Sequence, residues 1–84
     1  MSEDEYVNAD ALAYVVEKLK EAGVKSPKQS DTVTAMGAAK VSKALDTIDL
    51  EHEEYGEKPG SALKDCKTVK EMAQKLFQFM ESMG

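Results

Sequence analysis

The sequence contains only one cysteine, Cys66, and no apolar run long enough to form a membrane span or the core of a signal peptide. A single thiol cannot form an internal disulfide, and chains without disulfides are typical of reducing compartments. We therefore expect a cytoplasmic protein without a membrane-spanning segment. In such a protein Cys66 is expected to be a small buried or half-buried thiol.

Arginine is also absent, because all 11 basic residues are lysines, and the 84-residue chain carries a formal net charge of -5. Arginine is the usual bidentate ligand of guanine and phosphate, and a negative protein repels nucleic acids and anionic lipid heads. The composition therefore argues against nucleic-acid and membrane partners. It favours a protein partner with a basic surface.

The residue sets that carry catalysis or hold metals are missing as well. The one histidine, His52, lies between Glu51 and Glu53, but the zinc-binding His-Glu pattern needs a second histidine four positions on, where Gly56 stands. The sequence has no glycine-rich phosphate loop, and Cys66 lacks the local signature of a nucleophile. We therefore predict that the protein is not an enzyme and has no resident metal or cofactor.

The sequence does contain helical periodicity. Hydrophobic residues make up 42% of the chain and recur at intervals of three and four, with no alternating run typical of a strand. This pattern predicts one helical domain over residues 1–84, an all-α bundle of three to four helices. Residues 1–5 are expected to be a frayed acidic leader.

Local signals place the first and last helices. Asn8 is predicted to cap the first helix, and Gly23 to end it in a left-handed conformation. Thr68 and Glu71 form a capping-box pattern that begins the last helix. The apolar face of that helix runs out to Met83 and either completes the core or pairs with a second copy, so the oligomeric state stays open.

The middle of the chain is predicted to hold the main helix. Gly37 separates a short helical turn at residues 30–36 from this helix, which we place at residues 38–55. Residues of this helix that recur at three- and four-residue steps are predicted to form one buried stripe, namely Val41, Ala44, Leu45, Ile48, His52 and Tyr55. A further helical turn is expected at residues 61–65, with Leu63 facing inward.

The main helix has an unusual order of charges. Lys40 and Lys43 lie near its start, whereas acids crowd its end and exit, namely Asp46, Asp49, Glu51, Glu53, Glu54 and Glu57. This order opposes the helix macrodipole, and each misplaced charge costs on the order of a few tenths of a kcal/mol. The acids are either a solvated face that keeps the domain soluble or a docking surface. The predicted docking residues are Lys40, Val41, Asp46, Asp49 and Glu53.

Short segments around this helix follow a familiar layout. Met36-Gly37 precedes the helix, an acidic segment from Leu50 to Tyr55 closes it, Pro59 follows in the loop, and Thr68-Val69 opens the last helix. In these places the chain resembles the acyl carrier protein family, which has a leucine-glycine pair, a Leu-Glu-Glu-Glu-Phe stretch and a Thr-Val pair. The resemblance implies a small helical fold whose acidic second helix is recognised by partner proteins.

The motif that carries the chemistry of that family is different here. Where the family has an aspartate and the serine that accepts phosphopantetheine, this sequence has Ala39-Lys40, followed by Val41 in place of leucine. A lysine has no hydroxyl with which to form the phosphodiester. Ser42 is the alternative attachment site, although Lys43 rather than an apolar residue follows it.

Three functions remain open from the sequence. The first is a non-catalytic acidic interaction module, a degenerate carrier-like domain that docks a partner through the main helix. The second is an active carrier of acyl or aminoacyl groups on phosphopantetheine attached at Ser42. The third is a small regulator or inhibitor that acts by acidic mimicry.

Overall fold

The computed structural model describes residues 7–83, apart from the side chains of Ser82 and Met83. The predicted leader at residues 1–5 and the predicted apolar contact of Met83 lie outside the described part. The described chain is helical, with α1 at Ala9–Glu21, α2 at Val33–Met36, α3 at Ala38–Glu51, a 3₁₀ helix at Glu53–Tyr55, α4 at Pro59–Ala62 and α5 at Val69–Met83. The all-α class predicted from the periodicity is confirmed.

Helix α1 begins and ends as its sequence predicts. The side chain of Asn8 accepts a hydrogen bond from the N–H of Ala11, which is one of the amides left without a partner at a helix start. At the other end, Gly23 has a φ of 109°. The N–H of Val24 bonds back to the carbonyl of Leu19 over 3.0 Å, which completes a Schellman ending.

Helix α5 begins at the predicted capping residues. The hydroxyl of Thr68 accepts a hydrogen bond from the N–H of Glu71. The carboxylate of Glu71 reaches back to the N–H of Lys67, one residue before the cap, over 2.8 Å. Two amides at the start of the helix therefore have side-chain acceptors, as in a capping box.

Helix α3 is shorter than predicted, because it ends at Glu51 instead of continuing to Tyr55. The ring Nδ1 of His52 lies 2.9 Å from the carbonyl of Ile48, which is the acceptor that the amide of His52 would use in a continuing α-helix. That amide bonds instead to the carbonyl of Asp49, and a 3₁₀ helix follows. Tyr55, predicted to be on the buried stripe, is consequently 66% exposed.

The next helix, α4, starts two residues earlier than predicted. Pro59 occupies its first turn, where a missing N–H costs nothing and the fixed φ favours the helix. Leu63 faces inward as expected and is fully buried. Gly60 packs so closely against α3 that a Cβ at this position would lie 2.0 Å from the carbonyl oxygen of Leu45.

The helices share one cluster of buried apolar side chains, to which α1, α3 and α5 all contribute. Its most deeply buried members, each at most 1% exposed, are Val15, Leu19, Ala44, Ile48, Leu63, Val69, Met72 and Ala73. Full burial of a Val, Leu, Ile or Met side chain stabilises the fold by about 1.5–3 kcal/mol. These contacts hold the three long helices together and fix the position of α3.

The connection between α1 and α2 is attached to the start of α5 by backbone hydrogen bonds. The N–H groups of Val69 and Lys70 bond to the carbonyls of Asp31 and Gln29, and the N–H of Val33 bonds to the carbonyl of Lys67. Next to these bonds, Thr32 and Thr68 form an isolated antiparallel bridge. The connection is therefore held in place along its second half.

Candidate docking surface at the end of α3

A surface groove of about 500 Å³ lies between the C-terminal half of α3, the turn after it and α4. Its lining residues are Asp46, Asp49, Leu50, Glu53, Gly56, Glu57, Lys58, Ser61 and Lys64. Four of them carry carboxylates and two carry ammonium groups, so the formal charge of the groove is -2. We call this feature the acidic groove.

Two of the predicted docking residues present free carboxylates to the acidic groove. Asp46 and Glu53 are exposed. Within the described part of the chain, the ion pairs involve Lys18 with Glu21 and Glu51, and neither Asp46 nor Glu53 takes part in one. Their charges are therefore available to a partner.

Asp49, the third predicted acid, has a structural contact inside the chain. Its two carboxylate oxygens accept hydrogen bonds from the N–H of Ser61, at 3.1 Å, and from the hydroxyl of Ser61, at 2.7 Å. The N–H at the start of a short helix and a carboxylate attract each other strongly. Asp49 therefore fastens α4 to α3 and is one of the residues that line the acidic groove.

Two large apolar side chains are exposed at this end of α3. Leu50, which lines the acidic groove, is 67% exposed, and Tyr55 in the 3₁₀ helix is 66% exposed. Neither was predicted as a docking residue. The sequence did contain a signal for Leu50, which falls two positions after Ile48 and so lies off the buried stripe.

The other two predicted docking residues are elsewhere. Val41 is 3% exposed and belongs to the hydrophobic core, so its assignment to an exposed face is wrong. It occupies the core side of α3 because it lies three positions before Ala44 and four before Leu45. Lys40 is exposed in the first turn of α3, but it lines a separate recess of about 320 Å³ beside Gly23 and Met36.

Ser42, the alternative attachment residue, is exposed one turn into α3. It lines a cleft of about 240 Å³ whose other walls include Val33, Leu63, Cys66 and, from α5, Met72. The hydroxyl is therefore accessible and lies at the mouth of a mostly apolar cleft.

A polar cluster fixes the end of α3 against α1. Lys18, although only 7% exposed, donates a hydrogen bond to Glu51, and the hydroxyl of Tyr14 donates to the other carboxylate oxygen over 2.6 Å. The hydrogen bond with Lys18 lowers the pKa of Glu51, and the same bond raises the pKa of Lys18. Burial, followed by the hydrogen bond with Glu51, raises the pKa of Tyr14. All three groups therefore keep their usual charges around neutral pH.

The side chains of Cys66 and His52 both contact other parts of the fold. Cys66 is 8% exposed, and burial raises the pKa of its thiol. The ring of His52 stands edge-on to that of Tyr14, with 6.2 Å between the ring centroids. Among the described residues, no group of three His, Cys, Asp or Glu side chains is arranged to hold a metal ion.

None of the helices in the described part is both long and apolar enough to cross a membrane.

Comparison with known proteins gave no similar sequence or fold, since no protein-family model, curated protein or solved structure matches the chain.

Proposed function

We propose that this protein is a non-catalytic interaction module that binds a partner protein with a basic surface through the acidic groove. The observation that supports the proposal best is the combination of the exposed Asp46 and Glu53 carboxylates, which have no ion pair among the described residues, with the exposed side chain of Leu50. Charges at the rim of an interface mainly raise the association rate, whereas a desolvated apolar contact at its centre slows dissociation. The groove offers both kinds of contact to one partner.

The order of charges along α3 supports the same proposal. Asp49 and Glu51 lie in the last turn of α3 and Glu53 follows it, where the macrodipole disfavours acids, and the described residues provide no ion pair for Asp46 or Glu53. Helix stability therefore does not account for these two acids. A cationic partner would be attracted both by the charges of these carboxylates and by the carbonyl groups at the C-terminal end of the helix.

Site-specific photo-cross-linking tests the proposal. A photo-reactive phenylalanine analogue replaces Leu50 in one variant and Glu17, an exposed residue of α1, in the control. In a lysate of the native host, we expect a cross-linked partner at position 50 that is missing at position 17. The partner, identified by mass spectrometry, is then purified and its association rate measured.

Charge reversal separates specific docking from general attraction. The double variant Asp46→Lys, Glu53→Lys is compared with Glu17→Lys, Glu81→Lys, which changes the net charge equally at other exposed positions. We expect the first pair to slow association at low salt by at least about tenfold and the second by less than about threefold. Equal effects of the two pairs, or cross-links of equal yield at both positions, would contradict docking at the acidic groove.

The carrier function at Ser42 is the second candidate, because the hydroxyl is exposed at the mouth of an apolar cleft. Lys40, at the position where the resemblance places the attachment serine, has no hydroxyl to carry phosphopantetheine. Incubation with a phosphopantetheinyl transferase and coenzyme A distinguishes a carrier modified at Ser42 from an interaction module. A carrier gains the mass of one phosphopantetheine, and Ser42→Ala loses that gain, whereas an interaction module keeps its original mass.

A further inference from the structure

A second groove lies between the first turns of α1 and the C-terminal half of α5. Its volume is about 340 Å³, which is at the lower end of the range for small-molecule sites. The walls are mostly apolar, with Ala11 and Tyr14 on one side and Leu76, Phe77 and Met80 on the other. Met80 is 44% exposed, so this groove leaves apolar surface in contact with water.

Three polar residues complete the lining, and two of them are used inside the fold. Asn8 accepts the N–H of Ala11 with its side-chain oxygen, which leaves its amide N–H₂ as a neutral donor. The ring Nδ1 of His52 lies 2.9 Å from the carbonyl of Ile48. Because a carbonyl can only accept, Nδ1 donates the hydrogen of this bond and is used inside the fold.

Asp10 provides the charge of the groove. Its carboxylate is exposed in the first turn of α1, and it has no ion pair with any residue of the described part of the chain. By formal count at pH 7, with histidine taken as neutral, the lining carries one negative charge and no positive charge. The groove therefore combines an apolar wall containing two aromatic rings with a free anionic group at its edge.

We propose that this groove binds a small amphiphilic cation, an aromatic or aliphatic body that carries an ammonium group. The body lies between Tyr14, Phe77 and Met80, and the ammonium group lies at the carboxylate of Asp10. The aromatic rings contribute apolar contact to the body of the ligand and not a cation–π site for its ammonium group, because the ammonium of Lys18 already lies 5.2 Å from the centroid of the Tyr14 ring. An anionic ligand of the same shape meets the charge of Asp10 and gains nothing from it.

The size of the groove favours a small molecule over a partner helix. A single helical turn with its side chains is a cylinder about 10–12 Å wide and 5.4 Å tall, which is about 500 Å³. The groove holds about 340 Å³, so only part of one turn of a docked helix could enter it, whereas a small ligand could lie in it whole. At roughly 30 Å³ for each water-sized group it holds about eleven of them, which suits an aryl-alkyl amine. Ligands of that size bind with dissociation constants on the order of millimolar.

Titration followed by two-dimensional amide NMR of the full chain tests the proposal. The probe is phenethylamine, and 2-phenylethanol and 3-phenylpropanoate are neutral and anionic controls of similar shape. We expect saturable shifts at Asp10, Tyr14 and His52 with phenethylamine, and at least about fivefold weaker binding of the two controls. Equal binding of the anion, or no saturation by 20 mM, on the order of ten times the expected constant, would overturn the proposal.

Two isosteric variants test whether the carboxylate of Asp10 binds the ammonium group of the ligand. Asp10→Asn is expected to weaken the binding of phenethylamine about three- to tenfold, whereas Asp46→Asn in the acidic groove leaves it unchanged. Equal losses in both variants would mean that the cation senses only the net charge, and the proposal fails. It also fails if a lysine- and leucine-rich helical peptide shifts the same amides while phenethylamine does not. None of these outcomes bears on docking at the acidic groove, because the two grooves share no lining residue.

Discussion

Replacement of Gly60 by alanine is expected to separate α4 from α3. The added Cβ would lie 2.0 Å from the carbonyl oxygen of Leu45 and 2.8 Å from the carbonyl carbon. Both atoms belong to the backbone of α3, so the conflict cannot be relieved by rotating a side chain. Since Gly60 lies within a helix, alanine itself would otherwise be favoured there by up to about 1 kcal/mol.

The size of the effect follows from the contacts that α4 makes. Forced overpacking of this kind costs about 1–3 kcal/mol. Movement of α4 also lengthens the two hydrogen bonds from Ser61 to Asp49, each contributing about 1 kcal/mol. After subtraction of the gain in helix propensity, we expect a net loss of about 3 kcal/mol. A domain of 84 residues has about 4–13 kcal/mol in total, so this is a large fraction.

Thermal and urea denaturation followed by circular dichroism measure this loss. We expect the Tm of Gly60→Ala to fall by about 12–24 °C. Gly56→Ala is the matched control, because a Cβ there meets nothing within 4 Å and only the φ of 73° is unfavourable, at about 1–2 kcal/mol. If Gly60→Ala is no less stable than Gly56→Ala, the close packing of α4 on α3 is refuted. The same variant should weaken partner binding, since α4 forms one wall of the acidic groove.

Four further predictions concern the groups fixed between the helices. Glu51→Gln leaves the buried ammonium of Lys18 with only the longer contact to Glu21, at 3.7 Å, as counter-charge, so we expect a loss of about 1–3 kcal/mol in urea denaturation, partly recovered by adding Lys18→Met. Full stability in the single variant would contradict this. Because the pKa of Glu51 is lowered in the fold, its contribution is present above the unfolded value of 4.5 and is lost as pH falls through the folded value; the acid limb of the stability profile should therefore be flatter in Glu51→Gln, and an unchanged limb would disprove the coupling. The fold raises the pKa values of Lys18 and Tyr14, so the stability that these groups contribute is present below their unfolded pKa values and is lost as pH rises. Stability should therefore fall as pH rises above about 10, with less loss in Tyr14→Phe. The buried thiol of Cys66, whose pKa is raised, should react with a disulfide reagent at pH 8 at least about tenfold more slowly in the folded chain than in urea, and equal rates would show that it is accessible.

The features that the sequence predicted correctly depend on neighbouring residues. The caps at Asn8 and Thr68 need only a side chain and an amide three positions on. Gly23 and Gly37 mark helix ends because both adopt a positive φ, at 109° and 99°. Such signals are visible in any short window of sequence.

The features that it did not predict depend on contacts between distant segments or on one side-chain conformation. The end of α3 is set by the ring of His52 at the carbonyl of Ile48, which no periodicity reports. Asp49 resembles any other surface acid until Ser61 is placed beside it. The burial of Val41, in contrast, could be predicted from the sequence, because its spacing places it on the buried stripe. Its prediction as a docking residue on an exposed face was inconsistent with that spacing.

The three backbone hydrogen bonds between the α1–α2 connection and the first turn of α5 have a consequence for synthesis in the cell. Lys67, Val69 and Lys70 supply the partner groups, and they leave the ribosome more than 30 residues after the segment 29–33 that they bind. Until then, residues 29–33 lack these three bonds and have only their local hydrogen bonds, such as that from the N–H of Asp31 to the carbonyl of Lys28, and α1 can pack onto α3 but not onto α5. A nascent or truncated chain that stops before residue 67 is therefore expected to hold a two-helix hairpin with an open arm, which a protease can cut at residues 25–33.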